Sequence, residues 1–246
     1  MDRLIHTALS GMRASMDSQR VIASNMANAN TLGFRAELVD ARAVTIEGLS
    51  NEARAMQTVQ VRGADMEAGE MIDTGRSLDL AIETEALMAV QAEDGTEAYT
   101  RRGDLSISAT GLLVNGEGRP VLGDTGPITV PPTGIPAIAP DGTITITDPA
   151  VPDQPPAEIG RIKLAGWQGS PIQKGLDGLF RVEGGGVLPL DETATVKTGA
   201  LEQSNVSTTE VLVEMIDAQR LFAMRSKMIA TAREIDESGA QLMRLG

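Results

Sequence analysis

Apolar side chains recur every three or four residues at the two ends of this chain, and in short bursts between turn residues in the middle. Near the start the series is Ile5, Ala8, Met12, Met16, Ile22 and Met26; toward the end it is Val211, Met215, Ala218, Phe222, Ile229, Ala232 and Leu242. That spacing places each set along one stripe of a helix, a surface that requires a partner. The first helix is predicted from Asp2, as N-cap, to about Asn28. The run Asn-Ala-Asn-Thr-Leu-Gly then stops it, with Asn30 and Gly33 as the residues suited to left-handed backbone. The second helix is marked by Ser207-Thr-Thr-Glu210, the spacing of a capping box, with Val206 and Val211 placed for a hydrophobic staple. With no Pro inside it and no Gly before Gly239, it is expected to run about 30 residues, roughly 45 Å. One small β-domain cannot cover that length. Leu4, Leu9, Val21, Leu212, Ile216, Leu221 and Ile235 flank the stripes and widen the apolar face beyond the seam of a single helix pair.

Between the helices the period changes. Residues 34–80 are irregular, punctuated by Gly48, Gly63, Gly69 and Gly75, and read as an extended connector with a few strands. Beyond them, Leu87–Val90, Leu105–Ile107, Leu112–Val114 and Ile144–Ile146 are short strand-like runs separated by Asp94-Gly95, Asn115-Gly116, Asp141-Gly142 and Asp177-Gly178. Asn-Gly and Asp-Gly favour tight two-residue turns, so several hairpins are expected. The Pro-rich stretch from Asp148 to Pro156 reads as an exposed loop. The predicted class is α+β: terminal helices paired in a coiled-coil-like layer, plus a central domain of short antiparallel strands. The predicted division is 1–33 with 199–246 as the helical part, 34–80 as connector and 81–198 as the β-rich part.

Composition restricts the function. Aromatic residues are 2% of the chain, so the core is built from Val, Ile, Leu and Ala with little ring packing. The net charge of −13 argues against nucleic acid, which needs a basic face. Residues 1–35 carry +2 and residues 205–246 carry −1, which leaves −14 on the middle. Nearly neutral ends can crowd together while an acidic centre stays solvated. There is no cysteine, hence no disulfide or thiolate metal site, and no run approaches the ~18 apolar residues of a membrane span. Thr7, Ser10, Arg13 and Asp17 interrupt any apolar run at the start, so a signal peptide is not expected.

Candidate chemistry is sparse. His6, the sole histidine, lies in the first turns of a terminal helix, where a polar surface role is the plain reading. Gly184-Gly185-Gly186 lacks the Lys-Ser or Lys-Thr of a phosphate loop and reads as a turn. Glu93-Asp94 and Asp191-Glu192 flank turns in an acidic chain, and alternating oxygen ligands for calcium are missing. No enzyme, cofactor or metal site is expected. Met12, Met16, Met26, Met215, Met224, Met228 and Met243 gather in the helices, where flexible thioethers suit unlike neighbours.

Ser24-Asn25-Met26-Ala27-Asn28-Ala29-Asn30-Thr31-Leu32-Gly33-Phe34 resembles the Asn-x-Ala-Asn-x-x-Thr-x-Gly-Phe signature of bacterial flagellar rod and hook proteins, carried here by Asn25, Ala27, Asn28, Thr31, Gly33 and Phe34. Gly199-Ala-Leu-Glu202-Gln-Ser204-Asn205-Val206 resembles that family's approach to its C-terminal helix. The stretches around Gly75–Ile82, Asp94-Gly95, Tyr99–Arg101 and Gly111-Leu-Leu resemble its β-domain. The length leaves two kinds of rod subunit. Arg35–Val44, followed by Val61-Arg-Gly63-Ala-Asp65, is similar to the proximal kind rather than the distal one.

The resemblance implies a structural subunit of the proximal rod. Such subunits form a helical tube in the periplasmic part of the basal body with copies of themselves and other rod subunits. It also implies transit through the flagellar type III export apparatus, with no nucleic acid and no membrane insertion. The helical stripes above are then subunit-interface residues. The distal rod kind stays open, as does a secreted β-rich adhesin or binding module with the termini as stalks.

Overall fold

A computed structural model of the protein describes residues 2–46, 54–132, 134–148 and 155–244, with side chains over 8–39, 63–132, 134–148, 155–235 and 238. Helix α1 runs Asp2–Ala27 and helix α2 runs Thr208–Arg244, with strands between them, so the class is α+β. The chain divides into two compact units. One joins 1–29, 37–63 and 206–246; the other joins 30–36 and 64–205.

In the first unit, α1 and α2 pack against each other, and α1 also touches the strand Glu37–Ile46, which pairs with Arg54–Ala64 in a two-stranded sheet. The start of α2 follows the expected cap: the Glu210 amide lies 3.5 Å from Ser207 Oγ, and the Val211 amide donates to the Ser207 carbonyl at 3.0 Å. Past the other end of α1, of Asn30 and Gly33 it is Gly33 that takes the left-handed backbone. Among the described residues every positive φ belongs to glycine, here Gly33 at 65°.

The second unit is a set of small antiparallel sheets. The largest has five strands in the order Leu164–Gly166, Ala86–Gln91, Glu97–Thr100, Phe180–Val182 and Ile172–Lys174. Its strand Ala86–Gln91 reads as an unbroken apolar run because both of its faces are covered. Ala86, Met88 and Val90 join one cluster with Leu80, Ile144 and Leu164, while Leu87 and Ala89 join another with Tyr99 and Phe180. The meander Ile135–Ile138, Thr143–Thr147, Ala157–Arg161 is covered on one face only: Ile144 and Ile146 are buried, with the threonines between them less so. Of the loop expected at Asp148 to Pro156, residues 149–154 lie outside the described residues; Asp148, Pro155 and Pro156 are exposed and in no regular element.

The hairpin turns are one residue longer than the two-residue kind expected. At residues 92–96, 108–112, 115–119, 139–143 and 175–179 the same geometry recurs. The first amide donates to the fifth carbonyl, the fourth amide donates to the first carbonyl, and the fourth residue is a glycine with φ between 77° and 84°. This is a type I turn closed by a glycine bulge, in which Asp94, Asp141 and Asp177 occupy the place before the glycine. Each aspartate also accepts from the amide two residues on, at 3.0, 3.0 and 3.3 Å. In the Asn115-Gly116 turn the left-handed position falls to Gly118 instead, and Asn115 Oδ1 accepts from the amides of Glu117 and Arg119.

Candidate assembly surface and the anchor of the signature segments

On α2, the positions at helical spacing from the capped end share one side. Val211 is buried, and Met215, Ala218, Phe222, Ile229 and Ala232 are half-buried, with Arg225 in the same row. Arg225 Nη1 donates to the Gly11 carbonyl and Ser15 Oγ of α1, and Gln19 Nε2 donates to the Ala218 carbonyl at 3.2 Å, so the two helices run antiparallel. A methyl group on Gly11 would stand 3.6 Å from the Arg225 guanidinium. Small residues on α1 make this approach possible: Ser10, Gly11, Ala14 and Ser15 are all buried. Ala8, Met12, Ile22 and Met26 are half-buried, whereas Met16 is 55% exposed. Ile5, Leu242, Met243 and His6 lie on the helices but outside the described side chains.

Around Arg225 α1 therefore meets α2 through small and polar groups, and further large apolar side chains lie outside this contact. On α2, Leu212, Val213, Ile216, Leu221, Met224, Met228 and Ile235 are each between 41% and 59% exposed. Large apolar side chains thus stand exposed along much of α2.

The signature motif resolves into individual roles. In the first unit Asn25 is buried and its amide group acts as a strand would. Its Oδ1 accepts from the Glu37 amide at 2.8 Å and its Nδ2 donates to the Glu37 carbonyl at 3.0 Å. Asn28 Nδ2 donates back to the Ser24 carbonyl at 2.9 Å, which also accepts from the Asn28 amide at 3.1 Å, so one residue closes the helix end twice. Ala27 is exposed.

In the second unit the Thr31 carbonyl accepts from the Phe34 amide at 3.3 Å, and Gly33 donates to the Glu202 carbonyl at 2.8 Å. Gly33 is required twice over. Its φ is left-handed, and a Cβ there would lie 2.5 Å from the Arg101 carbonyl carbon. The Phe34 ring is buried and carries Lys174 Nζ 3.2 Å from its centroid, a cation–π contact, while the same Nζ donates to the Arg35 carbonyl at 2.8 Å.

Around Glu202 the two signature segments are tied together. Its carboxylate is fully buried and takes Arg35 Nη2 at 2.6 Å, Arg101 Nε and Nη2 at 2.7 Å each, and the Gly69 amide at 3.0 Å. Arg101 spends its other donors on the carbonyls of Ile82, Thr84 and Ala86 at 2.6 to 2.8 Å, pinning the turn between two strands. Asn205 completes the arrangement: its Oδ1 accepts from the Ala36 amide at 2.7 Å, and its Nδ2 donates to the carbonyls of Asp65 and Glu67. Arg35 is less well served, for its Nε and Nη1 are buried with no partner. Burial holds its guanidinium below the ordinary value and Arg101 adds to that, while Glu202 opposes both.

Such a carboxylate, closed off by two guanidinium groups and an amide, is an anchor. Sequence reasoning did not single out Arg35, Arg101, Glu202 or Asn205. The available signal was the charged residues adjoining apolar strand segments, Arg101 after Ala98-Tyr99 and Glu202 after Ala200-Leu201. Tyr99 is likewise structural: burial pushes its phenol far above the usual range, and its hydroxyl donates to Glu97 and accepts from the Leu188 amide at 2.6 Å. Asp94 and Asp191 bind Thr96 and Thr193 in turns, and Gly184–Gly186 form a turn with positive φ. Among the described residues no group of His, Asp or Glu could hold a metal ion, and no helix is long and apolar enough to cross a membrane.

Comparison with known proteins gives matches along the chain. Residues 5–35 match the family described as flagella basal body rod protein, 81–146 the flagellar hook protein FlgE/F/G D1 domain, and 197–242 the flagellar basal body rod FlgEFG protein C-terminal region. The flagellar basal-body rod protein FlgF of Salmonella typhimurium is 41% identical over 99% of each chain, and that of Escherichia coli likewise 41% over 99%. The rod protein FlgG of Bacillus subtilis is 32% identical over 99% of this chain and 100% of its own. With the anchor formed by the same two segments that begin and end the family's matches, the chain belongs to the flagellar basal-body rod proteins and is FlgF-like over nearly its whole length.

Proposed function

We propose that the chain is a structural subunit of the proximal part of the flagellar rod, without catalysis, and that it polymerises through its terminal helices into the axial shaft that transmits torque. The observation that carries this reading is the apolar face of α2 left outside the small-residue seam. In the assembly α1 and α2, within residues 1–33 and 199–246, form a coiled-coil-like inner layer. The segment 34–80 connects it to an outer β-rich part, 81–198. The helical rows from Ile5 to Met26 and from Val211 to Leu242, with the exposed positions beside them, meet copies of this chain and other rod subunits.

About 800 Å² of apolar surface shared in that way would supply roughly 20 kcal/mol before ordering costs. The rod lies in the periplasm, and the chain passes through the type III export apparatus before folding, a route that an aromatic-poor, cysteine-free sequence accommodates. The 41% identity to the FlgF proteins of Salmonella typhimurium and Escherichia coli, against 32% to the FlgG of Bacillus subtilis, supports the proximal over the distal position.

Ile216→Asp tests the helical interface, because Ile216 is 49% exposed and its replacement is expected to leave the fold intact. The variant is expected to be made and folded normally yet absent from purified basal bodies, with loss of motility. Normal incorporation would overturn the interface. Removing residues 1–30 separates the rod from an adhesin: a rod subunit stops assembling, whereas a binding module keeps its ligand.

A further inference from the structure

We propose that Arg225 is a selectivity residue: it keeps the apolar row of α2 on α1 and bars that row from pairing in parallel with α2 of a second copy. The inference rests on the rod reading above, in which copies of α2 are brought side by side pointing the same way. The α2 positions that share one side are Val211, Met215, Ala218, Phe222, Arg225, Ile229 and Ala232, spaced alternately by four and three residues. That is the period of a seam between two helices, and Arg225 is the one charged member of the row.

By packing alone, the row suits another copy of itself better than it suits α1. Met215, Phe222 and Ile229 are large, whereas the buried residues of α1 nearest Arg225 are Ser10, Gly11, Ala14 and Ser15, too small to interlock with them. Two α2 rows laid in parallel and in register set like against like, so each apolar side chain finds an apolar partner. Arg225 then meets Arg225, and the row contains no hydroxyl or carboxylate to accept from either. Like charges opposed in this way disfavour the pair.

Acceptors for the cation come from α1. Arg225 Nη1 donates to the Gly11 carbonyl and to Ser15 Oγ. Gly11 is the only glycine of α1, and a Cβ there would already stand 3.6 Å from the guanidinium carbon, so a larger side chain displaces the group. One polar residue in an otherwise apolar row thus decides which partner is tolerated, because the wrong partner leaves it opposed and unsatisfied.

The chain has no cysteine, so Ala218→Cys gives a single thiol in the row, and in a parallel α2 pair two such thiols face each other. Under mild oxidation in solution the full chain carrying Ala218→Cys is expected to form little disulfide-linked dimer. Adding Arg225→Met, which keeps an unbranched apolar stem, is expected to raise the dimer yield about tenfold or more. Two further variants separate selectivity from simple support. Arg225→Lys keeps a cation and is expected to hold the yield low. Gly11→Leu pushes Arg225 off α1 but leaves its charge in the row, and is also expected to give no more dimer than Ala218→Cys alone. Equal yields with and without Arg225→Met overturn the proposal. So does a Gly11→Leu chain that dimerises as fully as the methionine variant, since Arg225 would then merely hold α1 in place. Helical circular dichroism and Trp167 fluorescence report that each variant folds. Detection of the natural chain in isolated basal bodies checks the rod reading separately, and its absence there would leave the result in solution unchanged.

Discussion

Replacing Glu202 by glutamine keeps its shape but removes the charge that Arg35 and Arg101 face, leaving two guanidinium groups in a buried site. Breaking a buried pair in this way costs about 3–5 kcal/mol. Urea unfolding followed at Trp167, a partly buried ring packed against the cluster that contains Leu87 and Tyr99, is expected to show that loss. The two arginines are not equal. Arg101→Met strands three carbonyls, whereas Arg35→Met also removes two donors that had no partner, so the first variant is expected to be the less stable.

Acid acts on other residues. Hydrogen bonds from Arg181 hold Asp177 below the ordinary carboxyl value of 3.8, and those from Thr143 do the same for Asp141. A depressed folded value means that the contribution is complete above the unfolded one and is lost as pH falls through the folded one. The Leu179 amide resonance is therefore expected to titrate with a midpoint below 3.8, and Asp177→Asn to abolish that titration.

At the scale of elements, the helices were legible because a period of three to four survives any packing partner. What α1 turns toward α2 was not. The rule that large apolar side chains face inward places Met16 in the seam, yet Met16 is exposed and Ser10, Gly11 and Ser15 are buried, because the Arg225 side chain occupies the space they leave. Arg225→Ala removes a charged donor from two acceptors and is expected to lower the stability of the helix pair by about 1.5–3 kcal/mol. Thermal melts of helical circular dichroism would show this, with Val213→Ser, on an exposed position, close to the natural protein.

The strands were legible where Asp-Gly bounds an apolar run, as at Ala86–Gln91. The turn type was missed because Asp-Gly suits both a two-residue turn and the last two positions of a type I turn with a glycine bulge, and only the hydrogen bonds distinguish them. Long-range partners were hidden for the same reason that they matter. Nothing local in Glu202 announces Arg35, 167 positions away in the chain.

Across the whole molecule, the second unit is not a continuous segment, since it takes in residues 30–36 from before the first hairpin. A fragment of residues 64–205 lacks Arg35, the Gly33 bond to Glu202, the Phe34 carbonyl acceptor of the Asn205 amide, and the Phe34 ring beneath Lys174. A fragment of residues 30–205 is expected to unfold at a higher urea concentration, with a steeper transition, than the shorter piece. Equal midpoints would mean that the anchor contributes nothing to the unit. The charge distribution also belongs to this scale: nearly neutral helices can crowd together, while an acidic remainder stays solvated.

Because the Gly33 amide meets the Glu202 carbonyl, the stretch by which the chain first enters the second unit lies one hydrogen bond from the stretch by which it last leaves it. Residues gained or lost at a hairpin tip of that unit, such as 92–96 or 108–112, leave this threshold in place.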